Sequence, residues 1–184
     1  EEEGLVGLHL LDELHRVLDV LFNVFEGLVK PDENGNLIPA VASDYVVSDS
    51  GDVFTFTLRE NVRFHNGAPV TVGDVVFSIE RCMGEDGEPL VDGYDAVESV
   101  EATDDKTVVI KLKEGSPEFL ASLTVAIIPA DYTEQETAPV GTGPFRFVSR
   151  VAQENYVLER FDDYWGEKAK LEKITFKITK TPLQ

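Results

Sequence analysis

Large apolar residues recur at alternating steps of three and four through the first thirty positions of the chain. They are Leu11, Leu14, Leu18, Leu21, Phe25 and Leu28, with polar residues between them. This spacing predicts one amphipathic α-helix. The helix should stop near Gly27 and before Pro31, because a proline ring cannot continue a helix interior. We interpret the apolar stripe as core, since an isolated helix this apolar on one side needs something to cover it.

From residue 29 onward the hydrophobic period changes to two, which is typical of strands. Asn34 and Gly35 form a tight-turn pair within a first hairpin, and a second hairpin joins residues 45–47 to Val53–Leu58, where Phe54, Phe56 and Leu58 should face the core. Further strands are predicted at Val97–Ala102, Thr107–Leu112, 126–128, 145–148, 156–160 and 174–178. The chain is therefore rich in strands.

Two shorter helices interrupt the predicted hairpins. Thr71 is a good N-cap residue and Asp74 stands at the third helical position, where a carboxylate complements the free amides of the first turn. Ser116 and Pro117 suit the start of a second helix that contains Phe119. Residues 85–89 form a polar loop that we expect to be exposed. The predicted fold class is mixed α/β with about three helices.

Composition excludes several kinds of protein. The 184 residues carry 35 acidic and 16 basic side chains, a net charge of −19, and 42% of them are hydrophobic. The apolar content indicates a folded core, whereas the negative charge disfavours nucleic acid and anionic membranes as partners. The uncharged run at 119–130 is too short to span a bilayer. The acidic start is unlike a signal peptide, so we expect any export signal outside these residues.

Templates for catalysis and metal binding find little support. Cys82 is the single cysteine, which excludes an internal disulfide and a cysteine-based zinc site, and His9 and His15 are six positions apart, unsuited to one helix face. His65 is better interpreted as a structural histidine. Gly-Thr-Gly-Pro at 141–144 lacks the Lys-Ser/Thr ending of a phosphate-binding loop. We therefore predict no catalytic residue, no metal and no cofactor.

A set of short motifs occurs in a fixed order along the chain. They read NVFEGLV at 23–29, NLIPAVA at 36–42, FTFTLR at 54–59, NVRFHNGAPVT at 61–71, PVGTGPF at 139–145 and DYWG at 163–166. Together they resemble the extracellular solute-binding proteins of the peptide/nickel ABC transporter family, over about residues 18–178. Several motifs in order are far more specific than any one of them.

The resemblance implies a type II periplasmic-binding-protein fold, in which two lobes close on a ligand around a hinge. Family members are much longer, so residues 1–184 are expected to form a single incomplete first lobe, with a surface subdomain at about 29–95. The implied function is the substrate-binding component of an ABC importer that binds a small peptide or nickel chelate and meets the permease subunits. The implied location is extracellular or periplasmic, with a lipoprotein anchor at full length.

The resemblance also places candidate ligand contacts. The loop 141–144 should lie at the cleft wall with residues 117–119 near it, which makes Phe119, Thr142 and Gly143 the predicted ligand-binding residues. For each of them a structural role is the alternative: a backbone turn for the loop, and plain core for Phe119. Tyr164 and Trp165 are expected to cap the packing of the lobe.

Two other function classes remain open. An acid-rich hydrolase domain would lose turnover when one defined carboxylate is replaced. A structural or adhesive surface module sharing the fold would bind a macromolecule and no peptide.

Overall fold

The computed structural model describes residues 23–86 and 88–177. The predicted first helix over Leu11 to Leu21 lies outside them. Asn23 and Val24 are helical, and residues 25–27 are not. Phe25 and Leu28 therefore do not continue the helical stripe as predicted. Leu28 is nevertheless fully buried, because the chain turns here and enters the core as an extended segment.

Three antiparallel sheets contain the described strands. A two-stranded sheet pairs β1 (Val29–Pro31) with β2 (Leu37–Pro39). A four-stranded sheet has the order β3-β4-β6-β5, with β3 at Ala42–Val47, β4 at Val53–Leu58, β5 at Val97–Ala102 and β6 at Thr107–Leu112. A three-stranded sheet has the order β7-β8-β9, with β7 at Phe145–Val151, β8 at Asn155–Arg160 and β9 at Lys173–Lys177.

Helices cover the sheets and connect them. The α-helix α1 spans Val72–Met83, and 3₁₀ helices span Tyr94–Ala96 and Pro117–Thr124. The predicted N-cap of α1 is confirmed: Thr71 Oγ1 accepts from the Asp74 amide, and the Asp74 carboxylate accepts from the Thr71 amide at 2.9 Å. This reciprocal capping satisfies two backbone donors that the first turn leaves unpaired.

The pattern of β4 is confirmed by burial. Phe54, Phe56 and Leu58 are buried, while the alternating residues between them are partly exposed. Because β4 pairs with both β3 and β6, its apolar face lies at the centre of the sheet. The sheet includes strands on both sides of residue 95, so it extends beyond the proposed subdomain 29–95. The subdomain boundary itself stays a prediction.

The predicted strand at 126–128 is wrong. This segment is irregular, and side-chain and loop groups replace strand pairing: the Ile127 amide donates to Glu26 O at 3.0 Å, and the Ile128 amide donates to Ser78 Oγ at 2.9 Å. Short apolar runs do not distinguish a strand from a buried loop whose amides find other partners.

Two hydrophobic clusters make up the core of the described residues. The larger contains Phe54, Phe56, Ile79, Ile110 and Leu123, and fills the space between the four-stranded sheet, α1 and the 3₁₀ helix at Pro117–Thr124. The smaller contains Val24, Phe145, Tyr156 and Leu158 against the three-stranded sheet. No helix within residues 23–86 and 88–177 has the length and apolar character needed to cross a bilayer.

Ser78 joins α1 to the irregular segment, which gives a test of this packing. Its hydroxyl is 1% exposed, donates to Asp74 O at 2.8 Å and accepts from the Ile128 amide. Ser78→Ala leaves that amide buried without an acceptor, so the free energy of unfolding in urea should fall by about 1–3 kcal/mol. Ser43→Ala is the matched control, because Ser43 is exposed and the hydrogen bond from its hydroxyl to Thr57 O is long, at 3.4 Å. Equal losses in both variants would contradict the role given to Ser78.

Candidate functional site

The loop at residues 141–144 leads directly into β7 and lies beside His65. Two grooves flank this contact, and His65, Asn66 and Arg146 line both of them. The groove of about 130 Å³ continues along Tyr132 and residues 138–140. The groove of about 320 Å³ continues along residues 160–163. The predicted cleft loop is thus held between two shallow openings in the surface.

His65 holds the loop with three hydrogen bonds. Its backbone amide donates to Gly141 O at 3.0 Å, its Nδ1 accepts from the Gly141 amide at 3.3 Å, and its Nε2 lies 2.9 Å from Gly143 O. Because Nδ1 faces an N–H donor and Nε2 faces a carbonyl, the network assigns the neutral tautomer with its proton on Nε2. The predicted structural role of His65 is confirmed.

The charge state of His65 follows from its surroundings. Burial lowers the pKa of the ring from its ordinary value of 6.5 to about 4; the hydrogen bond to Gly143 O opposes this shift, and the positive charge of Arg146 adds to it. The edge of the Phe161 ring packs against the imidazole at a centroid distance of 4.7 Å. The ring is therefore neutral at physiological pH.

Both glycines of the loop are required by close backbone contact. A Cβ on Gly143 would lie 2.5 Å from Asn23 O, and one on Gly141 would overlap Val24 O. The Gly143 amide donates to Val24 O at 2.9 Å. The loop therefore packs directly on the backbone of Asn23 and Val24. Gly143 is buried here, which supports the structural alternative for this residue without testing its contact with ligand.

Thr142 differs from its neighbours because it has a polar atom to satisfy. The residue is 1% exposed, and its Oγ1 makes no hydrogen bond with any residue in the described part of the chain. A buried hydroxyl left without a partner costs roughly 1–3 kcal/mol. Such a group is a common feature of functional positions, where a bound molecule or water supplies the missing partner.

Phe119 makes its aromatic contacts in the hydrophobic core and not with the loop 141–144. It is 6% exposed in the larger hydrophobic cluster, and its ring meets Phe54 at 6.0 Å and Tyr94 at 5.4 Å in edge-to-face geometry. These are the core contacts of the structural alternative. The structure thus brings together Thr142 and Gly143, while Phe119 packs with the four-stranded sheet. Contact of any of the three with a ligand stays a prediction.

A buried carboxylate near the loop was missed by the sequence analysis. Glu26 is 7% exposed, and its carboxylate accepts from Trp165 Nε1 at 2.9 Å, from Lys30 Nζ at 3.2 Å and from the Tyr164 hydroxyl. The Arg59 guanidinium stacks 3.9 Å from the Trp165 ring centroid. A carboxylate is stable at such a position only when it is paired and hydrogen-bonded.

The Glu26 cluster accounts for the predicted packing role of Tyr164 and Trp165. Burial and the nearby Glu26 raise the pKa of the Tyr164 hydroxyl far above its ordinary range, so it stays a donor to the carboxylate. The sequence signal that could have revealed this carboxylate is a single acidic residue inside the apolar run 24–29. A glutamate with apolar neighbours on both sides is expected to be buried, and a buried glutamate needs partners. Within the described residues, no group of three His, Cys, Asp or Glu side chains is placed to hold a metal ion.

The low pKa of His65 predicts a dependence of stability on pH. Between pH 6.5 and about 4 the unfolded chain binds a proton that the folded chain does not, so the free energy of unfolding falls as pH falls through this window. Between pH 7.5 and 5.5, His65 should account for a loss of about 1 kcal/mol in the free energy of unfolding. Urea denaturation at the two pH values measures it.

His65→Gln provides the control for this measurement, since glutamine can still donate to Gly143 O and does not titrate. The pH-dependent loss should be smaller in His65→Gln by about the amount given above. An identical loss in both proteins would mean that His65 is not the titrating group.

Comparison with known proteins shows that the chain is similar to bacterial solute-binding proteins. Residues 36–184 match the model of the bacterial extracellular solute-binding proteins, family 5 Middle. The chain is 30% identical over 170 residues to the nickel-binding periplasmic protein of Escherichia coli K12, covering 86% of this chain and 32% of that protein. It is 32% identical over 169 residues to a putative ABC transporter peptide-binding protein of Brucella ovis, covering 84% and 32%.

Solved structures agree with this relationship. AppA, the oligopeptide-binding protein of Bacillus subtilis in complex with a nonapeptide, matches with a TM-score of 0.79 and 29% identity, over 88% of this chain and 35% of AppA. NikZ from Campylobacter jejuni, in complex with Ni(L-His), matches with a TM-score of 0.78 and 28% identity, over 85% and 34%. These matches confirm the predicted fold class: a type II periplasmic-binding-protein fold, of which the chain spans about one third.

Proposed function

The chain belongs to family 5 of the bacterial extracellular solute-binding proteins, and we propose that it is part of the substrate-binding component of an ABC importer. The observation that carries this proposal is the match over most of the chain to binding proteins solved with a nonapeptide and with Ni(L-His). The relatives named above are solute-binding proteins, which is why we propose transport without catalysis rather than hydrolysis or adhesion.

The proposed ligand is a small peptide or a nickel chelate, bound in a cleft between two lobes. The loop 141–144 would form part of one wall, and Thr142, Gly143 and Phe119 are the proposed ligand contacts. The second wall would come from chain outside these residues, since the chain spans about a third of its relatives. The proposed partners are permease subunits of the transporter, and the proposed location is extracellular or periplasmic, with a lipoprotein anchor at full length.

Two properties of the loop support its place in a cleft wall. Hydrogen bonds with His65 and with Val24 O hold its backbone on both sides, so it presents one fixed shape. A preorganised wall lowers the entropy that the protein must lose when a ligand binds. The unpaired Thr142 hydroxyl can then gain a hydrogen bond from a bound peptide, or from a water that bridges to it, which converts a cost of folding into affinity for a ligand.

The function is tested by isothermal titration calorimetry on two proteins: the 184-residue chain and the complete gene product that contains it. The titrants are trialanine and the nickel(II)–L-histidine complex. We expect the complete protein to bind one of them, and the 184-residue chain to bind it at least about 100-fold more weakly, because contacts from one wall alone do not repay the entropy of association. Equal affinities, or no binding by the complete protein, would contradict the proposal.

Thr142→Val in the complete protein tests the site within the same experiment. Valine keeps the shape of threonine and removes the hydroxyl, so affinity should fall by about 5- to 30-fold while stability is unchanged or higher. Val140→Ala is a control from the same loop region without a side-chain hydrogen-bonding group. If Thr142→Val stabilised the protein and left affinity unchanged, the hydroxyl would have no part in binding.

A further inference from the structure

A groove of about 610 Å³ lies at the C-terminal end of α1. It is lined by Phe77, Glu80, Arg81, Gly84, Glu85, Glu88 and Leu90. None of these residues lines either of the grooves beside His65, and none is among the predicted ligand contacts. The groove is therefore a surface feature separate from the candidate site.

The wall of this groove is fixed by backbone contacts. Gly84 ends α1 with a φ of 71°, where a side chain would overlap the Glu88 carbonyl oxygen. The amides of Leu90 and Val91 both donate to Cys82 O, at 3.0 and 3.3 Å. Because these bonds tie the segment after the helix back to the last helical turn, the groove exists before any partner binds.

Two large apolar side chains are exposed in the groove. Leu90 is 72% exposed although its amide is hydrogen-bonded to the helix end, and Phe77 is 37% exposed on α1. A single exposed leucine on a protein surface needs no explanation. Two apolar side chains lining one preformed groove form a patch of the kind that contacts other molecules.

The rim of the groove is acidic. It holds the carboxylates of Glu80, Glu85 and Glu88 against one guanidinium, that of Arg81. No cation in the described residues lies within salt-bridge distance of these three carboxylates. Their charge is thus available to an outside partner, and it complements a basic one.

We propose that this groove docks a segment of a partner protein in which an apolar side chain is flanked by lysine or arginine. The apolar side chain would lie between Phe77 and Leu90, and the basic side chains would face the glutamates of the rim. The net charge of −19 opposes both an anionic membrane and a second copy of the chain as the occupant. The proposal is independent of the ligand cleft.

The probe is an acetylated, fluorescently labelled peptide of eight residues, with two central leucines flanked on each side by three lysines. Its binding to the chain is measured by fluorescence anisotropy at 50 mM salt. Leu90→Ser should weaken binding by about tenfold or more, because it removes the apolar contact. Leu171→Ser is the matched control: Leu171 is 63% exposed and does not line the groove, so affinity should be unchanged.

A second pair of variants tests the rim. The double variant Glu85→Gln with Glu88→Gln should weaken binding at least fivefold and reduce its dependence on salt. The control, Glu98→Gln with Glu101→Gln, removes two exposed carboxylates from β5 and should weaken binding less than twofold. All four residues are exposed, so circular dichroism should be the same for each protein.

Two results would overturn the proposal. Equal effects of the groove and control variants would mean that the peptide is held by net charge alone. Self-association in sedimentation velocity that Leu90→Ser abolishes would mean that a second copy occupies the groove. Thr142→Val should leave binding of this peptide unchanged, which separates a failure here from a failure of the transport proposal.

Discussion

The neutral imidazole of His65 links the segments that carry the two hydrophobic clusters of the described residues. His65 follows Phe64, which is buried in the larger hydrophobic cluster, and it hydrogen-bonds the loop that enters β7, whose first residue, Phe145, belongs to the smaller cluster. One ring nitrogen accepts and the other donates, so the same side chain satisfies an amide of Gly141 and a carbonyl of Gly143. Only the neutral form can do both, because a second ring proton would face the Gly141 amide.

The glycines and the Glu26 cluster depend on the same arrangement. With the loop held by His65, its backbone approaches Asn23 and Val24 so closely that positions 141 and 143 have no room for a side chain. Two residues after Val24, the Glu26 carboxylate accepts a hydrogen bond from Trp165 in the segment that follows β8. Residues 23–26 are thus attached to both ends of the β7-β8 hairpin region, through backbone contacts at one end and a buried carboxylate at the other. A loop held in this way presents one fixed shape.

Local sequence patterns correctly predicted the structural features that depend on neighbouring residues. Val97–Ala102 and Thr107–Leu112 match the structure residue for residue, and the Thr71 cap forms as expected, because alternation and capping depend on near neighbours. The segment at 126–128 was wrongly predicted as a strand. Its amides bond to Glu26 and Ser78, which are remote in sequence, so the local pattern could not reveal these partners. Glu26, likewise, finds Tyr164 and Trp165 about 140 positions later. The motif PVGTGPF located the loop. The hydrogen bonds between this loop and His65, more than 70 positions earlier, could be seen only in the folded structure.

His65 is neutral in the folded protein and carries its proton on Nε2. Long-range ¹H–¹⁵N NMR correlations of the imidazole, recorded from pH 3.5 to 7.5 and assigned by comparison with His65→Gln, report both the tautomer and the pKa. This assignment requires an Nε2-protonated ring that titrates near pH 4. A ring protonated on Nδ1, or one that titrates near 6.5, would contradict it.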